Sequence, residues 1–564
     1  MSAQELITQH LALWTGSVTS KSTAGRGTSS GKRGKIELTG IKKLRELILE
    51  LAVRGKLVEQ DPNDEPASVL LERIAEEKAR LIKAGKIKKP KKLPEVSEEE
   101  NIFDLPRGWA AIRYGDCTTV TTGKLDANAA IDNGKYPFFT CSRTPSRIDT
   151  FEFDCKAVLL AGNGDFNVKM YAGKFNAYQR TYVIRPICIS LDFLYHLTVS
   201  QIERITENNR GSAIPYLKLA DITTPVIYLP PVNEQYRIVE KVDELMALCD
   251  RLEQQVGDQL EAHEVLVDTL LDALTRSADA TEVAENWARI AEHFDILFTT
   301  EASIDKLKQT ILQLAVMGRL VEQSANDEPA SVLLANIKDA SQRLVSEKTI
   351  KKPKLLEPIG GNIPYEIPSA WQWEKLGNFT LIGTGATPSR DRPDYYSPPE
   401  HPWVTSGETS QAYILDTKER VSSLAIKETN ISIYPAGTLI VAMYGQGKTR
   451  GQISELKVAA GTNQACAAVQ TIIKDISHRK YIKLCFIKLY DEIREGAAGG
   501  AQPNLNTGKI ANTLIPLPPL EEQQRIVEKI DELMALCDRL KTRLGEAGET
   551  RTQLAEALVE QAVQ

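Results

Sequence analysis

Apolar residues recur at alternating spacings of four and three in two long segments, one near the end of each half of the chain. The first segment contains Ile238, Val242, Leu245, Cys249 and Leu252, and the second contains Ile526, Ile530, Leu533, Cys537 and Leu540. This spacing is that of a coiled-coil seam, so we predict two long helices, from about 232 to 274 and from about 519 to 562. Because equal helices separated by a globular insert in one chain most simply meet head to tail, we expect an antiparallel coiled coil with pseudo-twofold symmetry.

A shorter apolar pattern with helical spacing precedes each globular insert. It covers Ile41 to Val58, with Gly55 near its end, and about 304 to 320, with Gly318 near its end. Glycine commonly follows the last turn of a helix because it adopts the left-handed conformation without strain. We therefore predict two short amphipathic helices that pack on the long pair as small bundles.

Between these helical patterns lie short runs of aliphatic, β-branched and aromatic residues, bounded by glycine and asparagine. The runs are Lys156 to Leu160, Thr181 to Ile184, Gly437 to Val441 and Ala467 to Thr471. Runs of this length and composition are typical of strands. The predicted fold class is therefore α/β (α+β), with two mixed α/β domains separated by long helices.

The helical segments are repeated without a gap, whereas the inserts between them scarcely resemble each other. Ile41 to Lys91 returns as Ile304 to Lys354, and Leu229 to Leu252 returns as Leu517 to Leu540. We call these repeated segments the frame. A weaker echo upstream relates Ile7, His10, Leu11 and Leu13 to Ile290, His293, Phe294 and Ile296. Near-identical frames around dissimilar inserts imply one scaffold that presents two different binding domains.

These patterns divide the chain into five regions, in which the inserts are called the first and second reader. They are an N-terminal helical region, 1–103, with a flexible linker at about 16–40; the first reader, 104–230; a central helical region, 231–364; the second reader, 365–516; and a distal long helix, 517–564. The linker is inferred from its content of Ser, Thr, Gly and Lys, and only the first copy has it.

Composition narrows the class of protein. A chain of 564 residues is too long for one hydrophobic core, which seldom exceeds about 250 to 300 residues. We find no long apolar stretch and no basic-then-apolar start of the secretory type, so a membrane span is not expected. The eight cysteines include no Cys-x-x-Cys pair, which argues against a metal site and fits a reduced, cytoplasmic protein. A net charge of −6 does not indicate nucleic-acid binding by itself, although a local basic surface suffices.

The sequence offers no constellation for catalysis. Gly445 to Thr449 imitates the end of a phosphate-binding loop, but Ala442 stands where that loop needs its first glycine. Asn-Pro-Pro-Tyr, Gly-x-Ser-x-Gly and His-Glu-x-x-His motifs are also missing from the sequence. We therefore expect a protein without catalytic residues.

Basic and amide side chains in glycine-rich segments of both readers are candidates for DNA contact. In the first reader they are Lys124, Asn128, Arg143, Arg147, Asn163, Lys169, Gln179 and Arg180; in the second they are Arg390, Arg392, Gln446, Lys448, Arg450, Asn463 and Gln464. Arginine or lysine pairs with guanine, and asparagine or glutamine with adenine, in the major groove. Each residue alone is as well explained as a solvated loop charge or a turn former, but two such clusters favour double-stranded DNA as a partner.

Two lysine runs lead into the readers at equivalent positions. They contain Lys88, Lys89 and Lys91 in the first copy, and Lys351, Lys352 and Lys354 in the second. Prolines interrupt both runs, which predicts extended connectors. The lysines are either solvated linker residues or clamps for DNA phosphates, which would be salt-sensitive and indifferent to sequence.

Taken together, these motifs resemble the specificity subunits of type I restriction-modification enzymes. The strongest match is Leu229-Pro-Pro-x-x-Glu-Gln-x-Arg-Ile-Val-Glu240 and its twin from Leu517 to Glu528, at the end of each reader. Supporting matches are Ala161-Gly-Asn-Gly164, Tyr178-Gln-Arg-Thr181 and Thr462-Asn-Gln-Ala-Cys466. The resemblance covers nearly the whole chain, and the dissimilar inserts lie where that family varies.

The resemblance implies a non-catalytic subunit that binds a bipartite, asymmetric DNA target through two target recognition domains. It implies two methyltransferase (modification) subunits as partners and, through them, two restriction (motor and nuclease) subunits. S-adenosylmethionine, ATP and Mg²⁺ would then belong to those partners, with no cofactor held by this chain. The rival hypothesis is a standalone DNA-processing enzyme, which would nick or methylate DNA, or hydrolyse ATP, without partners. A third is a structural adaptor whose readers no longer bind specific sites.

Overall fold

The computed structural model describes residues 9–16, 19–20, 36–100, 104–207, 209–210, 214–354, 356–361, 363–445, 449–495 and 505–563. The chain divides into two compact units. The first contains Met1–Leu260 and Glu546–Gln564, and the second contains Glu261–Gly545. Each unit therefore combines one reader with parts of the frame.

The first half of the chain supplies these helices and strands. The helices are α1 (Leu11–Gly16), α2 (Thr39–Val53), α3 (Ala67–Lys83), α4 (Leu191–Ser200), α5 (Ile202–Thr206), α6 (Leu219–Thr223) and α7 (Val232–Arg276). The strands are β1 (Thr19–Ser20), β2 (Ile36–Glu37), β3 (Ala110–Arg113), β4 (Thr118–Thr122), β5 (Tyr136–Phe139), β6 (Ser146–Ile148), β7 (Phe153–Ala161), β8 (Val168–Ala177), β9 (Thr181–Pro186) and β10 (Val226–Leu229).

The second half supplies a similar set. The helices are α8 (Ala280–Ala291), α9 (Phe294–Leu297), α10 (Glu301–Val316), α11 (Ala330–Ser346), α12 (Leu376–Phe379), α13 (Ser423–Glu428), α14 (Ile476–Glu495), α15 (Thr507–Ala511) and α16 (Leu520–Val563). The strands are β11 (Gln372–Lys375), β12 (Thr380–Thr384), β13 (His401–Val404), β14 (Tyr413–Ile414), β15 (Glu419–Val421), β16 (Leu439–Ala442), β17 (Ile453–Leu456), β18 (Gly461–Thr462), β19 (Cys466–Thr471) and β20 (Leu514–Leu517).

The two readers share a strand order although their sequences differ. The first has a six-stranded sheet in the order β4-β9-β7-β8-β5-β6, and the second a five-stranded sheet in the order β12-β19-β16-β17-β14. The first four strands correspond and pair antiparallel in both. Each reader is also closed at its base by an antiparallel pair of its first and last strands, β3 with β10 and β11 with β20. The predicted mixed α/β class is confirmed.

Apolar side chains point alternately to the two faces of the central strands, and this explains why both faces of each sheet are buried. In β7, Val158 and Leu160 join the cluster that includes the frame helices, whereas Ala157 and Leu159 join a second cluster inside the reader. Successive strand residues point to opposite faces, so each face receives an apolar set. The second reader repeats this arrangement in β16 and β19. Each reader is thereby anchored on the frame by one face of its sheet.

The residues predicted for the helix seam are buried or partly buried in the two main clusters. Ile238, Val242, Leu245, Cys249 and Leu252 belong to the first cluster, Ile526, Ile530 and Cys537 to the second, and Leu533 and Leu540 pack against the second. The short helices α2 and α10 contribute to the same clusters, as predicted. The seam residues therefore pack in multi-helix cores and not on the other long helix alone.

Both short helices end earlier than the sequence pattern predicts. Helix α2 ends at Val53 and α10 at Val316, because Gly55 and Gly318 adopt left-handed backbone conformations with φ of +68° and +71°. A helix cannot continue through this conformation. Leu57 is nevertheless buried, so the apolar pattern beyond Gly55 reflects packing of an irregular segment.

The structure describes only the ends of the predicted linker at about 16–40. Thr19–Ser20 pairs antiparallel with Ile36–Glu37, and helix α2 begins at Thr39. Residues 21–35 lie outside the described residues. Trp14 is fully buried in the first cluster, and its equivalent in the upstream echo, Leu297, is buried in the second. None of the described helices is long and apolar enough to cross a membrane.

Candidate nucleic-acid interface

Four polar loops of the first reader contact one another. We call residues 123–128, 140–143, 162–167 and 178–180 the first loop cluster. The backbone N–H of Gly162 donates to the Arg180 carbonyl at 2.8 Å, and that of Gln179 donates to the Leu125 carbonyl at 2.9 Å. The Asn167 side chain donates to the Cys141 carbonyl at 2.8 Å. Loops that are far apart in sequence thus form one polar surface.

Close packing of these loops requires a glycine at position 123. A Cβ on Gly123 would lie 1.8 Å from the Ala177 carbonyl oxygen. In the second reader the corresponding glycine is Gly385, whose Cβ would lie 1.6 Å from the Thr462 carbonyl oxygen. Since real Cβ atoms do not approach backbone oxygen that closely, both positions depend on a missing side chain. The two readers therefore use the same close contact between the residue after the first strand of the main sheet and the end of a later strand.

Most first-reader candidates lie in or beside this cluster. Gln179 donates to Asp126 at 3.3 Å, and Arg143 pairs with Asp165 at 2.9 Å. The candidates in the cluster are Lys124, Asn128, Arg143, Asn163, Gln179 and Arg180. Lys169, at the start of β8, donates to Asn167, and burial lowers the pKa of its ammonium group.

Arg147 lies outside the first loop cluster. Its guanidinium donates to the carbonyls of Gly134 at 2.8 Å and Lys135 at 3.1 Å, so it stabilises the β5–β6 hairpin. The residue is nevertheless exposed, and its contact with DNA stays a prediction.

The second reader has an equivalent group of loops, which we call the second loop cluster and define as residues 385–392, 443–445, 449–451 and 462–465. The Met443 N–H donates to the Ala465 carbonyl at 2.7 Å, and the Thr387 hydroxyl donates to the Gln464 amide oxygen. Asn463 is anchored through its own N–H to the Val404 carbonyl at 3.0 Å. Gln464 is exposed, while Asn463 is half-buried.

Two arginines of this cluster lie on aromatic rings. The Arg390 guanidinium is 4.6 Å from the Tyr396 ring centroid and pairs with Glu419 at 2.7 Å. Arg392 is 4.4 Å from the Tyr395 centroid and pairs with Asp394. The rings hold each guanidinium by a cation–π contact while leaving its side chain about half exposed. Stacking in this manner orients an arginine for planar recognition of a base or phosphate.

The glycine-rich loop after β16 contains three predicted DNA contacts, and Arg450 is the one that the structure describes. It is half-buried, and its Nε is buried with no hydrogen-bond partner among the described residues. The other two candidates of this loop, Gln446 and Lys448, lie outside the described residues.

Acidic partners are the functional residues that the sequence analysis missed. Asp126, Asp165, Glu152, Asp394 and Glu419 each pair with a candidate basic or amide side chain. Hydrogen bonds from Asn167 and Arg143 lower the pKa of Asp165, which stays ionised at neutral pH. Any anion that binds this surface must therefore compete with these carboxylates for the same cations. Asp126 and Asp165 lie in the sequence between predicted DNA-contact residues. This closeness in sequence is the one feature that could have indicated them.

The lysine connectors are exposed and irregular. Lys88, Lys89 and Lys91 follow helix α3, and Lys351, Lys352 and Lys354 follow helix α11, outside any helix or strand. The segment after the first run is tied to the first reader, because the Arg113 guanidinium binds both oxygens of Glu100 at 2.7 Å. Neither connector brings its lysines into a loop cluster by a contact among the described residues.

Metal chemistry finds no support in the described part of the chain, where no group of His, Cys, Asp and Glu side chains has the arrangement of a metal site. The eight cysteines are unpaired, and Cys249 and Cys537 are buried at equivalent seam positions, as the sequence predicts. Burial raises the pKa of the Cys466 thiol to about 12, which keeps it protonated and unreactive.

Known proteins with the same organisation share a DNA specificity domain. The family model described as "Type I restriction modification DNA specificity domain" matches residues 106–262 and 368–547. The chain is 36% identical to the type I restriction enzyme EcoAI specificity subunit and 36% identical to the EcoEI specificity subunit, both from Escherichia coli, over 100% of each chain. Among solved structures it is similar to the HsdS subunit from Thermoanaerobacter tengcongensis, with 17% identity, a TM-score of 0.41 and coverage of 82% of this chain and 98% of that one.

Proposed function

The chain belongs to the type I restriction modification DNA specificity family, and from this membership we propose that it is the specificity subunit of a type I restriction-modification system. It is a DNA-recognition component and not an enzyme. The observation that carries this function is the pair of dissimilar readers, each matched by the family's DNA specificity domain, between repeated frame segments. Each reader binds one half of a bipartite DNA target.

The two loop clusters are the DNA-binding surfaces in this proposal. They combine cationic and amide donors with glycines that permit close approach, the combination needed to read base edges in the major groove. The first uses Lys124, Asn128, Arg143, Asn163, Lys169, Gln179 and Arg180, and the second uses Arg390, Arg392, Gln446, Lys448, Arg450, Asn463 and Gln464. The exposed lysine connectors supply phosphate contacts, which add affinity without sequence preference.

The long helices form the scaffold between the readers, as an antiparallel pair with pseudo-twofold symmetry. The composition of the two cores supports this arrangement. The first core contains the start of α7, with Ile238 and Val242, together with Ala555 from the end of α16. The second contains the start of α16, with Ile526, together with Leu271 from the end of α7. Each core thus combines the beginning of one long helix with the end of the other.

The proposed partners follow from the doubled architecture. Two equivalent frame surfaces provide equal places for two methyltransferase subunits, which in turn carry two restriction subunits. S-adenosylmethionine, ATP and Mg²⁺ are used by those subunits. The complex acts in the cytoplasm, where its DNA target lies and where the eight unpaired cysteines remain reduced.

Exchange of a single reader tests the proposal. Cells that contain the methyltransferase subunits receive either this chain or a chimaera in which residues 104–228 come from a relative with another target, and their DNA is sequenced for N6-methyladenine. One half of the methylated motif should change while the other half is kept. Exchange of residues 368–516 is the matched control and should change the other half.

Two results would contradict the proposal. If both halves of the motif change after either exchange, the readers do not act on separate half-sites. If the purified chain alone nicks or methylates DNA, or hydrolyses ATP, it is a standalone enzyme. Loss of all site-specific binding in an intact complex would instead support the structural adaptor.

A further inference from the structure

A buried carboxylate at the start of the long helix α7 binds both the first reader and the frame segment that follows α2. The Trp109 indole, at the opening of the reader, donates to Glu234 Oε2 at 3.0 Å. The Gln60 amide, from the frame segment after α2, donates to Glu234 Oε1 at 2.7 Å. Glu234 lies in the first turn of α7 and is 1% exposed. We call Gln60, Trp109 and Glu234 the first carboxylate joint.

The same joint recurs in the second unit with nearly the same geometry. The Trp371 indole donates to Glu522 Oε2 at 2.9 Å, and the Gln323 amide donates to Glu522 Oε1 at 2.6 Å. Glu522 lies in the first turn of α16 and is also 1% exposed. Gln323, Trp371 and Glu522 form the second carboxylate joint. The reader sequences scarcely resemble each other elsewhere, so the repeat marks a requirement that does not depend on target sequence.

A tightly packed glycine lies beside each joint and leaves it little freedom. A Cβ on Gly55 would lie 2.5 Å from Pro106 Cγ and 2.9 Å from the Trp109 ring. A Cβ on Gly318 would lie 2.5 Å from Pro368 Cγ and 3.0 Å from Trp371. The reader therefore enters the frame through a proline and a tryptophan pressed against backbone. Rotation of the reader about this point would break the indole hydrogen bond.

Burying these carboxylates costs free energy that burying apolar side chains would not cost. Burial raises the pKa of both Glu234 and Glu522, which shows that the charged form is disfavoured by its surroundings. An apolar residue of similar size would fill the space without this cost. A carboxylate with both oxygens occupied by fixed donors gives direction that an apolar contact cannot give.

We propose that the two carboxylate joints are positioning elements that fix the orientation of each reader on its long helix, and that they thereby restrict the spacing between the two half-sites of the DNA target. Glu234 and Glu522 are positioning residues, since they act through the readers and do not themselves touch DNA. The proposal rests on the function proposed above. It assigns selection of spacer length to residues outside the loop clusters.

Glu522→Gln is the sharpest single change, because both carboxylate oxygens accept hydrogen bonds. An amide of the same shape places an NH₂ group against either the Trp371 or the Gln323 donor, so one contact becomes a repulsion between two donors. Exchanging the two groups in the double variant Gln323→Glu with Glu522→Gln restores a donor and an acceptor. Rescue should be partial, since Gln323 also donates to the Gly318 carbonyl at 3.1 Å.

The experiment measures binding by the assembled methyltransferase to three DNA duplexes. One carries the motif read from native methylation, and the others carry the same half-sites with the spacer one base pair longer or shorter. For Glu522→Gln we expect the preference for the native spacer to fall roughly tenfold, about the effect of losing one buried hydrogen bond, with both half-site sequences unchanged. The double variant should recover part of this preference. Glu521→Gln, an exposed neighbour with the same chemistry, should keep it all.

Other outcomes separate this proposal from the function on which it rests. Equal weakening on all three duplexes would mean that the joint only stabilises the fold, and positioning would be rejected. If Glu522→Gln does not fold, Trp371→Phe decides, because it removes the indole donor and keeps an aromatic ring; a folded Trp371→Phe complex with unchanged spacer preference would also reject positioning. A wild-type complex with no site preference would overturn the proposed function instead.

Discussion

Arg237 Nη2 lies 2.6 Å from Asp64 Oδ2, and this ion pair links the first turns of the long helix α7 to the segment between α2 and α3. The Asp64 side chain is only 5% exposed. The pair formed by Arg525 and Asp327 has the same distance of 2.6 Å in the second unit. The spacing between Glu234 and Arg237 is the same in both copies of the repeated motif. This has a physical basis, because one turn of helix presents both side chains to the same frame segment.

Removal of the arginine should destabilise the first unit at neutral pH. Arg237→Met leaves the buried Asp64 carboxylate with Asn233 as its remaining side-chain donor. The free energy of unfolding should fall by about 1–3 kcal/mol, the cost of a buried charge that has lost its main partner. Chemical denaturation measures this, with Tyr236→Ala, at an exposed neighbour, as the control.

The same variant predicts a pH dependence with a defined sign. The hydrogen bond from Arg237 is the largest cause that lowers the pKa of Asp64 below its ordinary value of 3.8. A lowered folded-state pKa gives stability that is full above the unfolded-state pKa and is lost as the pH falls. The difference between wild type and Arg237→Met should therefore shrink below about pH 4. A constant difference from pH 7 to pH 3 would show that the guanidinium acts through packing alone.

Glu100 should contribute to stability in a similar way at the lysine connector. The hydrogen bonds from Arg113 lower its pKa to about 2, from an ordinary value of 4.5. Its contribution is complete above the unfolded-state pKa and disappears as the pH falls from 4.5 towards 2. Wild type and Glu100→Gln should thus differ in thermal unfolding at pH 6 and converge in acid. Glu98→Gln, an exposed glutamate in the same turn, should match wild type throughout.

Glycine at position 385 should be essential to the second reader. Gly385→Ala forces a Cβ into the Thr462 carbonyl and must move one of the two loops that meet there. Because a shift of about 1 Å suffices to misplace a binding group, affinity for the second half-site should fall by tenfold or more while first-half discrimination is kept. Gly407→Ala is the matched control, since its Cβ would meet no atom within 4 Å. Binding to single-base variants in each half-site measures both effects.

Arg450 distinguishes base reading from phosphate binding. If its guanidinium reads a base, Arg450→Ala should cost about 1–3 kcal/mol and relax specificity in the second half-site only. If it contacts phosphate, binding should weaken equally on all sequences, and the dependence of affinity on salt should become shallower. We favour base reading, because the loop mixes amide and cationic donors and does not present lysines alone. Unchanged affinity in Arg450→Ala would remove this residue from the interface.

Much of the architecture was encoded in local sequence patterns. The seam residues from Ile238 to Leu252 predict a long helix from about 232 to 274, and the helix extends over Val232–Arg276. Periodic burial is a property of one helix and needs no knowledge of its partner. Gly55 marks the helix end because its left-handed conformation is a local preference. Because the frame is repeated, the sequence also predicts the same contacts in both copies. The two carboxylate joints have the same donors and acceptors.

Only the tertiary structure decided which polar groups meet. Arg147 and Arg143 look alike as loop arginines, yet one is held by backbone oxygens of a hairpin and the other by Asp165. Glu234 pairs with Trp109 at a separation of 125 residues, which no spacing rule predicts. Hydrogen bonds and ion pairs are short-range and directional, so a partner is chosen by how distant segments pack. Apolar periodicity reports only that a side chain is buried, and for that reason it could be read from the sequence alone.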